Sequence, residues 1–178
     1  WRRLKEIFAS DTLQMVSFTI TEKGYSITSP DGAFRADVKA DFEAGPENAD
    51  SYIGKLAALC YWRYTQGAAP LALVSMDNCS HNGDKLFAAV DAYAKAWTEN
   101  GKAEKGFLED IENPAKVSFP WSMIDKITPR PDASVKKMLE DAGFTDTESI
   151  VTSKNTYVAP FVNAEEAQYL VIENAFPN

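Results

Sequence analysis

Histidine occurs once in the 178 residues, as His81, and cysteine twice, as Cys60 and Cys79. That scarcity removes several chemistries together. A zinc site needs three or four converging nitrogen, sulfur or oxygen donors, usually with paired His or Cys at short spacing. No second histidine and no spaced cysteine pair occurs here, so the loop carrying Asp77, Cys79 and His81 is not read as a metal centre. A metallophosphoesterase, suggested by Asp77-Asn78 and His81, fails for want of other histidines. Two cysteines do not make a disulfide framework, and Cys60 lies among Leu56, Ala57, Leu59 and Tyr61 in a helical pattern, which predicts plain core.

Basic residues are also in short supply: 18 Lys and Arg against 26 Asp and Glu give a formal charge of −8. Neutralising phosphates takes clustered Lys and Arg, so a nucleic-acid partner is excluded. No apolar run approaches the roughly 18 to 20 residues of a membrane span. The start, Trp1-Arg2-Arg3-Leu4-Lys5, lacks the apolar core of a secretory signal; neither a membrane nor an exported protein is indicated, and the expected compartment is the cytoplasm. No Gly-x-Gly-x-x-Gly occurs, so a pyrophosphate-binding loop cannot be located in these residues. Trp1 is not an initiator methionine, and the chain stops abruptly at Ala175-Phe176-Pro177-Asn178. Both ends read as cuts through a longer polypeptide, although a trimmed small domain would look the same.

What is present, 45% apolar and 12% aromatic residues, suffices for a substantial core in one domain. Arg2 to Phe8 reads as a helix, and Gln14 to Ile20, rich in apolar and β-branched residues, as a strand. Thr21-Glu22-Lys23-Gly24-Tyr25 is a polar turn. Ser26 to Asp50, punctuated by Pro30, Gly32, Gly45 and Pro46, reads as a long loop with short pieces of structure, of the kind that is often functional. Helical spacing returns from about Asp50 to Tyr64, a strand follows over Leu71 to Ser75, and a second long helix runs from about Asp84 to Thr98, burying Leu86, Phe87, Val90, Tyr93, Ala94 and Trp97. A short helix within Gly101 to Ile111, a brief strand at Val117 to Phe119, a Ser-capped helix from Ser134 to Ala142 ending at Gly143, and a strand at Gln168 to Glu173 complete the pattern. Alternation of strand and helix signals a parallel sheet.

Polar chemistry concentrates in Ser75-Met76-Asp77-Asn78-Cys79-Ser80-His81-Asn82-Gly83, where a strand gives way to a helix. Open α/β sheets bind ligands at such carboxyl ends. Asp77 and Asn78 leave the strand with free side chains, while Asn82, Gly83 and Asp84 offer turn and capping chemistry.

Three segments together, Thr21-Glu22-Lys23-Gly24-Tyr25, Ser75-Met76-Asp77-Asn78 through Asn82-Gly83, and Phe119-Pro120-Trp121-Ser122-Met123-Ile124-Asp125-Lys126-Ile127-Thr128-Pro129, resemble the mannitol dehydrogenase family of polyol and hexuronate oxidoreductases. Tyr169-Leu170-Val171-Ile172-Glu173-Asn174 extends the likeness over nearly the whole chain. The resemblance implies a Rossmann-type α/β fold, a mostly parallel sheet flanked by helices, with residues 1–178 forming part of an NAD-binding domain. It also implies that the first βα unit, with its glycine-rich loop, and the helical substrate domain, with its catalytic lysine, lie outside these residues, so that this piece is inactive alone and its partners are a small sugar acid or polyol and the rest of its own chain. The branch it most resembles interconverts D-fructuronate and D-mannonate with NAD. Alternatives are mannitol or another sugar-alcohol as substrate, or a non-catalytic α/β domain that holds a sugar or nucleotide.

The resemblance also implies roles for particular residues. Asn78 matches the asparagine that stabilises the oxyanion, against the alternative that it only caps or turns its loop. Asp125 matches a carboxylate that lines the substrate pocket, with Met123 and Ile124 as its apolar wall; the alternative makes it a structural partner of Lys126 or of a turn. Thr21, Glu22 and Asp77 fall on the cofactor side, where an ordinary turn explains the first two nearly as well and Asp77 serves equally by orienting its neighbours through backbone hydrogen bonds. Two positions depart from the family pattern. Lys126 stands where most members have arginine, keeping the charge without the bidentate fork, and Trp121 stands where many have Asn or Ser, either narrowing the pocket or packing beneath it.

Overall fold

The computed structural model describes residues 1–67, 69–126 and 128–177; Ile127 of the proline-bracketed motif and Asn178 lie outside them. Helix α1 (Arg2–Phe8) leads into strand β1 (Met15–Phe18), and helices α2 (Ala36–Ala44) and α3 (Tyr52–Thr65) lead to β2 (Leu71–Ser75). Helices α4 (Asn82–Glu99) and α5 (Lys105–Glu112) then lead to β3 (Val117–Ser118). The three strands form a parallel sheet in the order β1-β2-β3, with Met15 opposite Ala72 and Leu71 opposite Val117. Each strand-to-strand passage is made by helices, which is how parallel neighbours are joined.

Strand β2 is central, paired on both edges and covered on both faces, and every residue from Leu71 to Ser75 is buried. Its uninterrupted apolar run, without alternation, is the pattern such a strand requires. Helix α4 packs on β2 and α3 through a stripe at helical spacing, Leu86, Ala89, Val90, Tyr93, Ala94 and Trp97, none more than 2% exposed. On α3, Ile53, Leu56, Ala57 and Cys60 turn inward to the same core. Burial pushes the Cys60 thiol up to about 12, so this cysteine is an inert core residue, as its surroundings in the sequence indicate.

Helix α2 occupies a stretch that the sequence reads as loop. Only Val38 and Phe42 give it an apolar repeat, and its remaining buried residue is Asp41; prolines and glycines on both sides mask so weak a signal. The Asp41 carboxylate accepts from the backbone N–H groups of Asp50 and Ser51, at 2.8 and 3.0 Å, which fixes the entry to α3.

The amino ends of these strands are tied by Arg63, 5% exposed. Its guanidinium donates to the carbonyls of Phe8 (2.6 Å), Ser10 (2.9 Å), Leu13 (3.0 Å), Ala69 (2.8 Å) and Pro70 (3.3 Å). One side chain thereby joins the end of α1 and the approaches to β1 and β2.

Contacts divide the chain into two compact units, residues 1–123 with 171 onward, and residues 124–170. The remaining strands are β4 (Ser122–Asp125), which forms a two-stranded ribbon with β7 (Tyr169–Ile172), and the antiparallel pair β5 (Ile150–Val151) and β6 (Tyr157–Val158). The second unit carries helix α6 (Ala133–Asp141), and among its described residues only Thr147 is buried. The cap of α6 differs from the expected Ser134. Asp132 fills that place, and its carboxylate accepts from both the backbone N–H and the hydroxyl of Ser134. Gly143, at φ 91°, ends the helix in the left-handed conformation that favours glycine. Among the described residues no helix is long and apolar enough to cross a membrane.

Candidate active site

At the carboxyl ends of β1 and β2 the two strands are laced together by Asp77. Its carboxylate accepts from the backbone N–H of Ile20 (2.8 Å) and Thr21 (2.9 Å) and from the hydroxyl of Tyr25 (2.5 Å). Tyr25 sits at the end of a 3₁₀ turn, Glu22–Tyr25. Burial acts against the Asp77 charge, but the Tyr25 hydroxyl and the two amides outweigh it and hold the carboxyl below the usual range. Burial first, and then the neighbouring carboxylate, push the Tyr25 phenol well above its ordinary value. Thr21 has φ 63° and ψ 160°, a conformation that costs a non-glycine residue of order 1–3 kcal/mol and persists only where its surroundings enforce it. The Asp77 hydrogen bond to its N–H supplies part of that enforcement.

Asn82 anchors the other side of the loop. It lies in the first turn of α4, 1% exposed, and its amide nitrogen donates to the carbonyls of Asp77 (3.1 Å), Ser122 (3.0 Å) and Ser75 (3.3 Å). Its amide oxygen accepts from the N–H of Ser122 at 3.0 Å. The start of α4 is thus fastened to the end of β2 and to Ser122. Gly83 permits the close approach: a Cβ there would stand 2.2 Å from the Phe119 carbonyl oxygen and 2.7 Å from Trp121 Cδ1. Gly83→Ala is therefore expected to destabilise the fold by about 2–3 kcal/mol, the upper range for overpacking against groups that cannot yield, read as a lowered urea midpoint at unchanged slope. A midpoint equal to that of the native protein would refute the close approach.

His81 precedes α4 in a left-handed conformation (φ 53°) and stacks on Trp121, with ring centroids 4.3 Å apart and 19° between planes. The Trp121 indole N–H donates to Asp84 at 2.9 Å. Its backbone N–H donates to the Glu173 carboxylate, and its carbonyl accepts from the Glu173 N–H. The loop's lone histidine is a stacking partner, and Trp121 pins the loop from outside.

Strand ends, a buried carboxylate bridging them and an exposed polar loop stand at the edge where parallel α/β sheets bind ligands. Comparison with known proteins gives that edge its context. The model of the mannitol dehydrogenase Rossmann domain matches residues 5–178. This chain belongs to the mannitol dehydrogenase family. It is 48% identical over 178 residues to D-mannonate oxidoreductase of Thermotoga maritima, covering 100% of this chain and 33% of that protein. It is 33% identical over 169 residues to polyol:NADP oxidoreductase of Gluconobacter oxydans, covering 93% of this chain and 31% of that one. Among solved structures, D-sorbitol dehydrogenase in its substrate-free form matches with TM-score 0.71 at 29% identity, over 99% of this chain and 33% of that one. The ternary complex of Pseudomonas fluorescens mannitol 2-dehydrogenase with NAD and D-mannitol matches with TM-score 0.69 at 28% identity, over 99% and 32%. The chain spans about a third of the length of these relatives.

Within this mannitol dehydrogenase-type Rossmann domain, Thr21, Glu22, Asp77 and Asn78 all stand at the sheet's carboxyl end. Asn78 is exposed, and among the described residues its side chain has no hydrogen-bond partner, so its amide neither caps nor ties the loop. Glu22 forms an ion pair with Lys85 of α4 at 2.6 Å, and that lysine holds the exposed Glu22 carboxyl below its ordinary range. The Asp77 carboxylate is committed to internal partners, so a part for it in cofactor binding runs through the shape of the Thr21 loop. Met123 is 57% exposed on β4. In the second unit, Ile124 and Asp125 are half-buried, and Asp125 accepts from the Tyr169 hydroxyl at 3.2 Å rather than pairing with Lys126.

Sequence reasoning passed over Tyr25, Ser122 and the cross-linking part of Asn82. Tyr25 reads as an ordinary turn residue because its partner Asp77 is 52 positions away. The signal available for Asn82 was its place just inside a long helix, where the short polar side chain reads first as a cap.

Proposed function

We propose that this domain serves an NAD-dependent oxidoreductase that interconverts D-fructuronate and D-mannonate by hydride transfer, with residues 1–178 forming part of its nucleotide-binding domain and the substrate domain lying elsewhere in the parent chain. The 48% identity with a D-mannonate oxidoreductase along the whole chain carries this reading, above the 33% shared with a polyol oxidoreductase. The cytoplasm is its proposed compartment.

The residues present fit the nicotinamide side of a dinucleotide. An exposed amide without an internal partner, Asn78, and a loop held in a strained backbone, Thr21, face solvent at the end of a parallel sheet. Bound there, the reduced cofactor supplies the hydride that reduces the ketone to an alcohol. The chain's own residues then do three things. Asn78 donates an amide N–H to the carbonyl oxygen as negative charge grows on it, a contribution that counts most when the donor is already aimed. Asp125 accepts hydrogen bonds from substrate hydroxyls and selects the carbon presented, its carboxylate oriented by Tyr169 and flanked by the apolar Met123 and Ile124. Asp77 keeps Thr21 and Glu22 in place at the cofactor. The proton that completes the alcohol is assigned to the catalytic lysine of the parent's substrate domain, which the family resemblance implies.

The test is the full-length protein assayed for NADH oxidation with D-fructuronate, D-tagaturonate and D-fructose in parallel, and with NADPH as a second reductant. Turnover of D-fructuronate with NADH is expected. Activity on D-fructose alone makes the protein a sugar-alcohol dehydrogenase, the second reading, favoured by the polyol relative. Sugar binding by calorimetry without nucleotide and without turnover would make it a non-catalytic domain.

A further inference from the structure

We infer that Tyr25 is a positioning residue for Asn78, an inference that rests on the role proposed for Asn78 above. Asn78 makes no side-chain hydrogen bond among the described residues, so its amide takes its place entirely from the backbone that carries it. That backbone is set by the residue before it. The Asp77 carbonyl accepts from the Asn82 amide at 3.1 Å, and the Asp77 carboxylate accepts from Ile20, Thr21 and Tyr25. Among the described residues Tyr25 is the one side chain that donates to this carboxylate.

Donor and acceptor capacity then fixes the direction of a small ring. A charged carboxylate only accepts, so the single phenolic proton of Tyr25 goes to Asp77. Ser75 Oγ, 2.6 Å from the phenol oxygen, therefore donates to it. The Asp77 N–H in turn points to Ser75 Oγ at 3.4 Å. The cycle runs from Asp77 N–H through Ser75 and Tyr25 back to the Asp77 carboxylate, each hydroxyl giving one proton and taking one. It closes around Asp77, the residue that leads into Asn78, and the same carboxylate holds Thr21 in its left-handed backbone. Removing the phenol oxygen opens the ring while leaving a buried aromatic of the same shape. The carboxylate then keeps the Ile20 and Thr21 amides, which hold the Thr21 loop, but it loses its side-chain anchor, and the backbone that carries Asn78 loses its reference.

Displacement of a catalytic group by even a fraction of an ångström is expensive, since about 1 Å costs roughly 100-fold. In the full-length protein, Tyr25→Phe is expected to lower kcat about 10-fold with the dissociation constant for NADH nearly unchanged. The decisive measurement is a cycle of Tyr25→Phe, Asn78→Ala and the double variant. Acting through Asn78, Tyr25→Phe has no further effect on kcat once Asn78 is alanine, whereas the melting temperature it lowers stays lowered in both backgrounds. The same kcat loss in both backgrounds, or no loss in the native one, overturns the inference and leaves Asn78 in place. An Asn78→Ala variant with native turnover overturns the role of Asn78 itself, and the inference with it. Ser75→Ala opens the ring from the other side and decides the matter in the same cycle should Tyr25→Phe fail to fold.

Discussion

Asn78→Ala in the full-length protein is expected to lower kcat by about 100- to 1,000-fold, the loss that follows removal of one donor to a developing oxyanion, or roughly 2.7–4 kcal/mol of transition-state stabilisation. The expectation rests on an economy of contacts. The buried polar side chains beside Asn78 are spoken for: Asp77 by the β1 turn, Asn82 by Ser122, Ser75 by Tyr25. The exposed Asn78 amide has no hydrogen bond to lose among the described residues, so its deletion should leave stability within the roughly ±0.5 kcal/mol of a surface change. Ground-state cofactor affinity should hold as well, because the amide acts on charge that exists only as the hydride moves. The measurement is steady-state kinetics beside a fluorescence titration with NADH. Asn78→Asp sharpens it, since a carboxylate offers the oxyanion no proton and adds a like charge, and turnover should fall at least as far. If Asn78→Ala raised KM at unchanged kcat, the amide would be a uniform binding contact and the oxyanion role would fail.

The elements that were plain in the sequence are those whose stability is local or strongly periodic. Leu71-Ala72-Leu73-Val74 announces a strand covered on both faces, and Leu86, Val90, Tyr93 and Trp97 announce the buried stripe of α4. Helix α2 was hidden because it is held by few apolar residues and by a buried aspartate whose N–H donors come from the following loop. The site divides along the same line. Its place at the end of β2 follows from where the apolar run stops, and motif likeness picks out Asn78. The ring of Ser75, Tyr25 and Asp77 joins residues 50 and 52 positions apart, and nothing in local pattern pairs a turn tyrosine with a loop aspartate. Asn82 shows the limit most sharply. Capping chemistry and cross-linking call for the same short amide, and only the arrival of Ser122, 40 positions later, decides between them.

The largest loss of stability is expected at the opposite end of the sheet, from Arg63→Met. Methionine fills much of the same volume with an apolar chain, so packing changes little, yet five main-chain carbonyls lose a charged donor together. Each buried acceptor left unpaired costs about 1–3 kcal/mol, less where water reaches it. Relief of the desolvated charge works in the other direction. Burial holds the guanidinium below its usual value, and among the described residues no carboxylate stands within ion-pair distance of it. The Ser10 carbonyl keeps the Leu13 N–H at 3.2 Å, but the other four acceptors still outweigh one relieved cation, and a net loss of about 4 kcal/mol is expected. For a chain of this size that is a fall in melting temperature of roughly 8–16 °C, followed by tryptophan fluorescence. Arg63→Lys separates charge from geometry. An ammonium keeps the charge and the desolvation but has three donors on one nitrogen and cannot fork to acceptors on both sides, so it should recover less than half of the loss. If lysine restored the native melting temperature, charge alone would be the requirement and the carbonyl bracket would not be what joins α1, β1 and β2. If methionine were as stable as arginine, solvent would be reaching those carbonyls, and the bracket would contribute nothing net.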